Sequence, residues 1–378
     1  MKLGIIGLPI SGKTTVFNAL TGAHKKTGVY TSSSADAPNI AMVKIQDDRM
    51  SFLKKIYNPE KLTLADIEYV DIIGIFSGTG YSKEASTDSN VQHSKKGHHA
   101  GKYNPMSFLR EMDAIIQVIR VFKDEGIPLI KGTLNPKRDL NEINSELIIA
   151  DLGIVEKRIE KLKKSTSKPK KEQQQEKEEL RILSLFKDAL GNGKDIKNLQ
   201  LGEEEKKIVK GFCFLTEKPR ITVLNIGEDQ ISEIPLMSKE FSGGSEEIIC
   251  MCAQVEMEIM DLEPEERQEF IRELGIGELA SKTLIELSCK VLNTCSFFTV
   301  LGNEVRAWTI YRGANAVTAA GKVHTDMARG FIKAEVVHFK DFQELGSMKE
   351  LRARGMIKLE GKDYIVQDGD IVMFRFNV

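Results

Sequence analysis

Near its N-terminus the chain reads Gly7-Leu8-Pro9-Ile10-Ser11-Gly12-Lys13-Thr14-Thr15. Two glycines with four residues between them, followed by lysine and threonine, suit the binding of a chain of phosphates. Glycine lets backbone N–H groups turn inward onto phosphate oxygens, and a helix N-terminus just beyond adds a favourable dipole. Lys13 is then placed to reach the β- and γ-phosphates, and the Thr14 hydroxyl to ligate Mg²⁺. A plain glycine turn is the bland alternative. The flanks argue against it: "KLGIIG" reads as a buried strand and "TTVFNALTG" as a helix closed by Gly22. Strand, loop, helix is the setting a phosphate loop requires.

Two more groups of residues belong to the same chemistry. Asp71-Ile72-Ile73-Gly74 follows an apolar run. An aspartate at a strand end can hold Mg²⁺ through water, and the Gly74 N–H can contact the γ-phosphate. Ras-like enzymes place a glutamine next to orient the attacking water. Here Ile75 follows, which has no polar atom for that task, so slow hydrolysis or a different orienting group is expected. Asn225-Ile226-Gly227-Glu228 ends a later strand, where GTPases carry Asn-Lys-x-Asp to grip guanine. The longer Glu228 moves the carboxylate, so the guanine fork is not assured. Cys252-Ala253-Gln254 falls where a base-stacking loop is expected. An ordinary strand-end turn is the plain alternative for Asn225 and Glu228. His93, His98 and His99 lie in the polar stretch 79–104, which reads as a loop with exposed histidines rather than a metal site.

These residues need a scaffold. Apolar runs at "KLGIIG", "DIEYVDIIGIF", "AIIQVIRVF" (114–122), "RITVLNIG" (220–227) and "EEIICMCAQV" (246–255) read as buried strands. Helical or loop text separates them, which predicts a doubly wound, mostly parallel α/β sheet of the P-loop type. Residues 1–134 and 211–292 form this split domain. From 135 to 210 the text is helical and highly charged. Leu140, Ile143, Leu147, Leu152, Val155, Ile159 and Leu162 recur at helical spacing, and Leu180, Leu183, Phe186 and Leu190 carry a return helix. Between them "KKSTSKPKKEQQQEKEE" has no apolar residue. An inserted antiparallel coiled-coil arm with a solvated tip is expected. Residues 293–378 read as a mostly β module with glycine turns.

The whole chain of 378 residues carries a net charge of −1, which argues against a histone-like nucleic-acid binder and leaves room for local basic patches. Five cysteines, an odd number with no CxxC pair, point to the cytoplasm and to packing rather than metal binding. No signal peptide and no membrane span are expected.

Taken together, the motifs resemble the Obg-like ATPases of the YchF type. The resemblance rests on "GLPxxGKTTxFNALT", "DIxG", "NPKRDLNEINSELIIADLGIVEKRIEKL", Asn225-x-x-Glu228 and a long C-terminal stretch from "EVRAWTI" to "DGDIVMFRFNV". It implies that 293–378 is a ubiquitin-like β-grasp (TGS) domain. It also implies an ATPase that prefers ATP to GTP, uses Mg²⁺, acts as a monomer and associates with ribosomes and their RNA through the arm and the TGS domain. Such proteins are linked to translation and stress responses. Nucleotide contacts would come from Gly7 to Thr15, Asn225, Ile226, Glu228, Cys252 and Ala253, with Lys13 and Gly74 catalytic and Thr14 and Asp71 on the metal. Several positions depart from the family pattern. Ile10-Ser11 replaces Asn-Val, which removes a potassium-coordinating asparagine. Ala35 stands where a Mg²⁺-touching threonine aligns, and the glycine-rich segment after Gly74 is replaced by histidine-rich polar text. A nucleotide-sensing protein with negligible hydrolysis is the alternative reading, and a small-molecule kinase the least favoured.

Overall fold

A computed structural model of the chain describes residues 1–25, 37–76, 104–129, 131–164, 170–241 and 246–377. Thr31, Ser32 to Ser34, Ala35, the three loop histidines and Lys168 therefore lie outside the described residues. The chain divides into two compact units, 1–41 with 69–284 and 42–68 with 285–378.

One six-stranded sheet, most of whose residues lie in the first unit, contains β1 (Lys2–Ile6), β2 (Asn39–Lys44), β4 (Asp66–Asp71), β5 (Ala114–Arg120), β6 (Arg220–Asn225) and β7 (Glu247–Met251). Their order is β2-β4-β1-β5-β6-β7. The pairs β1–β5, β5–β6 and β6–β7 are parallel. Every residue of β5 and β6 is buried, which is why their sequences run apolar without alternation. Strand order departs from β1 in both directions, so the loop after β1 sits at the topological switch point, where such sheets bind ligands.

A long helix, Pro136–Lys164, and its return, Lys170–Gly191, form a helical hairpin. The apolar stripe divides its work. Ile143 and Leu147 pack into the core of the sheet, while Val155, Ile159 and Leu162 pack with Ile182, Leu183, Phe186 and Leu190. Arg158 crosses the hairpin with two hydrogen bonds to the Glu179 carboxylate, at 2.7 and 2.9 Å. At the base of the long helix Asp151 is fully buried. Its carboxylate accepts from Arg110 Nη1 (2.7 Å), the Leu215 and Thr216 amides, and Thr216 Oγ1.

The second unit carries the other sheet: β3 (Lys61–Thr63), β8 (Thr294–Leu301), β9 (Glu304–Tyr311), β10 (Phe331–His338), β11 (Lys358–Glu360) and β12 (Asp370–Phe376), ordered β11-β10-β12-β8-β9-β3. β8 and β9 form an antiparallel hairpin, and β12 lies parallel to β8, as in a β-grasp. Helix Ala316–Val323 packs on one face through Ala316, Ala319 and Ala320. The other face is covered by Met50 and Leu53 of helix Asp48–Tyr57 together with Phe339, Phe342 and Leu351. Residues 42–68, read from sequence within the nucleotide-binding part, thus group with the C-terminal residues.

Candidate functional site

β1 ends at Ile6 and the chain turns through residues 7–12 into helix Lys13–Thr21. The Ser11 amide donates to the Leu8 carbonyl at 3.3 Å, and Val16 N to Gly12 O at 2.9 Å, closing the turn. Gly12 has φ +89°, and a Cβ there would collide with Asn225 Nδ2, so only glycine fits. Ile10 has φ +62°. For a β-branched residue that conformation costs about 1–2 kcal/mol. The loop is thus held in a strained shape that asparagine or glycine would adopt more easily, a feature no reading of residue types alone would show.

Lys13 lies over the loop and donates from Nζ to the Leu8 carbonyl at 3.0 Å. Burial pulls its pKa below the ordinary lysine value, and the nearby Asp71 carboxylate opposes this only in part. Thr14 Oγ1 donates to Asp71 Oδ2 at 2.8 Å, and Asn39 Nδ2 donates to the same oxygen at 3.1 Å. Asp71 is fully buried, yet its Oδ1 has no hydrogen-bond partner among the described residues. An unpartnered buried carboxylate oxygen beside a threonine hydroxyl suits a hard cation with oxygen ligands.

The third corner is built by Asn225 at the end of β6. Its Nδ2 donates to the Ser11 carbonyl at 3.0 Å, and its Oδ1 accepts from the Ala253 amide at 3.3 Å. One buried side chain therefore ties the phosphate loop to the Cys252–Ala253 turn. The Ile226 amide donates to Met251 O, and the Ile226 side chain is buried. Glu228 opens the short 3₁₀ turn Glu228–Glu233 and is exposed. Burial pushes the Cys252 thiol pKa up, and the charges of Glu228, Glu256 and Glu258 add to that.

Sequence reading missed Phe122. Its amide donates to Asn225 O at 3.0 Å, and its ring edge lies 3.8 Å from the position a Gly12 Cβ would take. It had been counted as the end of a strand, whereas β5 stops at Arg120. The change from strand to loop there was the only available signal.

The structure thus links Lys13, Thr14, Asp71, Asn225 and Ala253 around the loop by hydrogen bonds, with Cys252 next to Ala253 and Ile226 and Glu228 just beyond Asn225 in the chain. Pro9 and Ile10 are half-buried on the loop, and Thr15 lies in the first helical turn. Gly74 is exposed with φ +85°, another conformation that favours glycine. Ile75 packs against the sheet core and offers no polar group. All five cysteines are free, and among the described residues no cluster of His, Cys, Asp or Glu could hold a metal as a three-ligand set. No helix among them is long and apolar enough to cross a membrane.

A family model described as a 50S ribosome-binding GTPase matches residues 2–226, and the YchF-GTPase_C model, described as a protein of unknown function, matches residues 294–377. Over its full length the chain is 38% identical to a ribosome-binding ATPase YchF of Bacillus subtilis, and covers all of that protein. It is 36% identical to the protein of the same name from Escherichia coli O157:H7, covering 99% of it. A solved structure of the Schizosaccharomyces pombe YchF GTPase superposes with a TM-score of 0.79 at 29% identity, covering 99% of this chain and 97% of that one.

Proposed function

The chain belongs to the YchF family of ribosome-binding ATPases, and we propose that it is a ribosome-associated switch that binds ATP in preference to GTP and hydrolyses it slowly. The contact between Thr14 and Asp71 beside Lys13 carries this reading, because it assembles a phosphate and metal corner from two distant parts of the sequence. Thr14 and Asp71 would hold Mg²⁺, and the unpartnered Asp71 Oδ1 supports that fit. When bound, the ion neutralises charge building on the phosphates. Lys13 exchanges the Leu8 carbonyl for phosphate oxygens. The Gly74 N–H faces the γ-phosphate. Ile75 supplies no water-orienting group, which supports slow turnover.

Base choice rests on Asn225, Ile226 and Glu228. Asn225 is occupied in holding Ser11 and Ala253, Ile226 and Phe122 supply apolar walls, and Glu228 replaces the aspartate that grips guanine. Contact with ribosomal RNA is assigned to the arm, with Lys163 and Lys164 near its end, and to the C-terminal β module. The protein works as a cytoplasmic monomer.

Nucleotide titrations with ATP and GTP, with and without ribosomes, test the reading. ATP should bind more tightly, and ribosomes should raise its turnover. Tighter GTP binding would overturn the base assignment. The departures at Ile10 and Ile75 favour a second reading, a sensor without useful hydrolysis. Single-turnover rates that stay at or below about 10⁻⁴ s⁻¹ with ribosomes present would select it.

A further inference from the structure

A cavity opens against the Leu8–Ser11 stretch of the phosphate loop. Ser11, Arg120, Lys131, Thr133, Arg138 and Asp139 supply its polar lining, and apolar residues between Leu8 and Leu134 make up the rest of its wall. Its free volume is about 40 Å³, room for roughly three water molecules or one small tetrahedral oxyanion.

Two observations on buried groups point to what it holds. Ser11 is 4% exposed, and its Oγ has no hydrogen-bond partner among the described residues. The Ser11 carbonyl serves Asn225, so the hydroxyl is the part of this residue left for another ligand. Arg120 is 7% exposed, and its bonds go to backbone carbonyls alone: Nε to Phe122 O, Nη1 to Pro128 O and Nη2 to Ile127 O. A guanidinium has five N–H donors, so two remain uncommitted. No carboxylate pairs with Arg120 among the described residues, and Asp124 acts on it only at a distance. The other cations of the cavity do have carboxylate partners, Lys131 with Glu142 at 2.5 Å and Arg138 with Asp139 at 2.8 Å. Arg120 is therefore the surplus buried charge, and a buried charge without a counter-charge is a costly arrangement.

We propose that this cavity is an anion site separate from the nucleotide cradle, sized for inorganic phosphate, with Arg120 and Ser11 as its donors and Lys131 at its wall. The anion compensates the Arg120 charge and satisfies the Ser11 hydroxyl. Arg120 stacks on the Phe122 ring, its guanidinium carbon 4.5 Å from the ring centroid, and Phe122 lies beside Gly12. Occupancy is thus felt at the loop that receives the nucleotide, which gives free phosphate a route to influence it.

The test uses the full chain saturated with Mg²⁺ and a non-hydrolysable ATP analogue, so that the cradle itself is filled. Calorimetric titration with inorganic phosphate at low salt should show one site per chain. Lys131→Glu should weaken it about tenfold or more. Ser11→Ala removes a hydroxyl that has no partner, so the fold should persist while phosphate binding weakens several-fold. Lys163→Glu, on the arm, should leave phosphate binding unchanged. The proposal falls if the saturated protein binds no phosphate, if neither cavity variant weakens binding, or if the analogue abolishes it. The affinity of the analogue, measured in the same samples, reports separately on the nucleotide site.

Discussion

Lys13 shows how a single residue is prepared for its ligand. Within the loop its ammonium is partly stripped of water and held by one carbonyl, so burial favours the neutral form. Phosphate oxygens reverse that preference. Between the lowered value and the ordinary 10.5, nucleotide binding must therefore take up a proton, and affinity must fall as pH rises through that window. Calorimetry at alkaline pH in two buffers of different ionisation heat should detect the uptake; identical heats would refute it. Glu228 carries a second prediction at this scale. Glu228→Asp restores the carboxylate reach that guanine needs. The ratio of GTP to ATP affinity should rise about fivefold or more, since a hydrogen bond to a charged group contributes roughly 1.5–3 kcal/mol. Competition with fluorescent nucleotides reads the ratio, and no change would remove Glu228 from base selection.

At the scale of elements, a buried carboxylate adds a polar fastening to the apolar packing of Ile143 and Leu147 that holds the helical hairpin on the nucleotide-binding sheet. Asp151 on the long helix accepts from Arg110, whose helix Pro105–Arg110 closes the segment that begins at Gly74, and from the turn Leu215–Glu217. Removing it leaves a guanidinium, two amides and a hydroxyl without their acceptor. Asp151→Ala should cost about 3–5 kcal/mol, read as a lower urea midpoint with little change in slope. A loss below about 1 kcal/mol would show that water replaces the carboxylate. The same variant leaves Arg110 tied to the long helix only through the Ala150 carbonyl, at 3.2 Å, so it also tests how far the ion pair couples the two elements.

On the scale of the whole molecule, the chain is not organised in simple sequence order. Residues 42–68 leave the nucleotide-binding unit and return to it. In between, helix Asp48–Tyr57 buries Met50 and Leu53 against Phe339, Phe342 and Leu351, and β3 adds to the edge of the second sheet beside β9. A chain cut after residue 292 keeps this excursion and loses its cover. It should aggregate or bind hydrophobic dyes, as judged by light scattering and dye fluorescence. A monodisperse truncated protein would show that the excursion is dispensable.

Much was legible in the residues themselves. Gly7, Gly12, Lys13 and Thr14 announce a phosphate loop because phosphate binding needs close backbone approach, a cation and a hydroxyl within a few residues. The strands β1, β5, β6 and β7 were legible because burial leaves their runs mostly apolar, and β4 through the apolar residues around Tyr69 and Val70. The helical stripe was legible through its spacing, but not its division between two cores, since the period of a helix names a face and not a partner. β2, with alternating half-buried and exposed residues, and the three-residue β3 left too weak a pattern. Only the tertiary structure decided that Asn225 binds the phosphate loop, that Ile10 is strained, that Phe122 stands beside Gly12, and that Arg120 is buried with no paired carboxylate among the described residues. Each of these depends on atoms brought together from distant parts of the chain, or on a backbone angle imposed by them, and residue type and spacing carry neither.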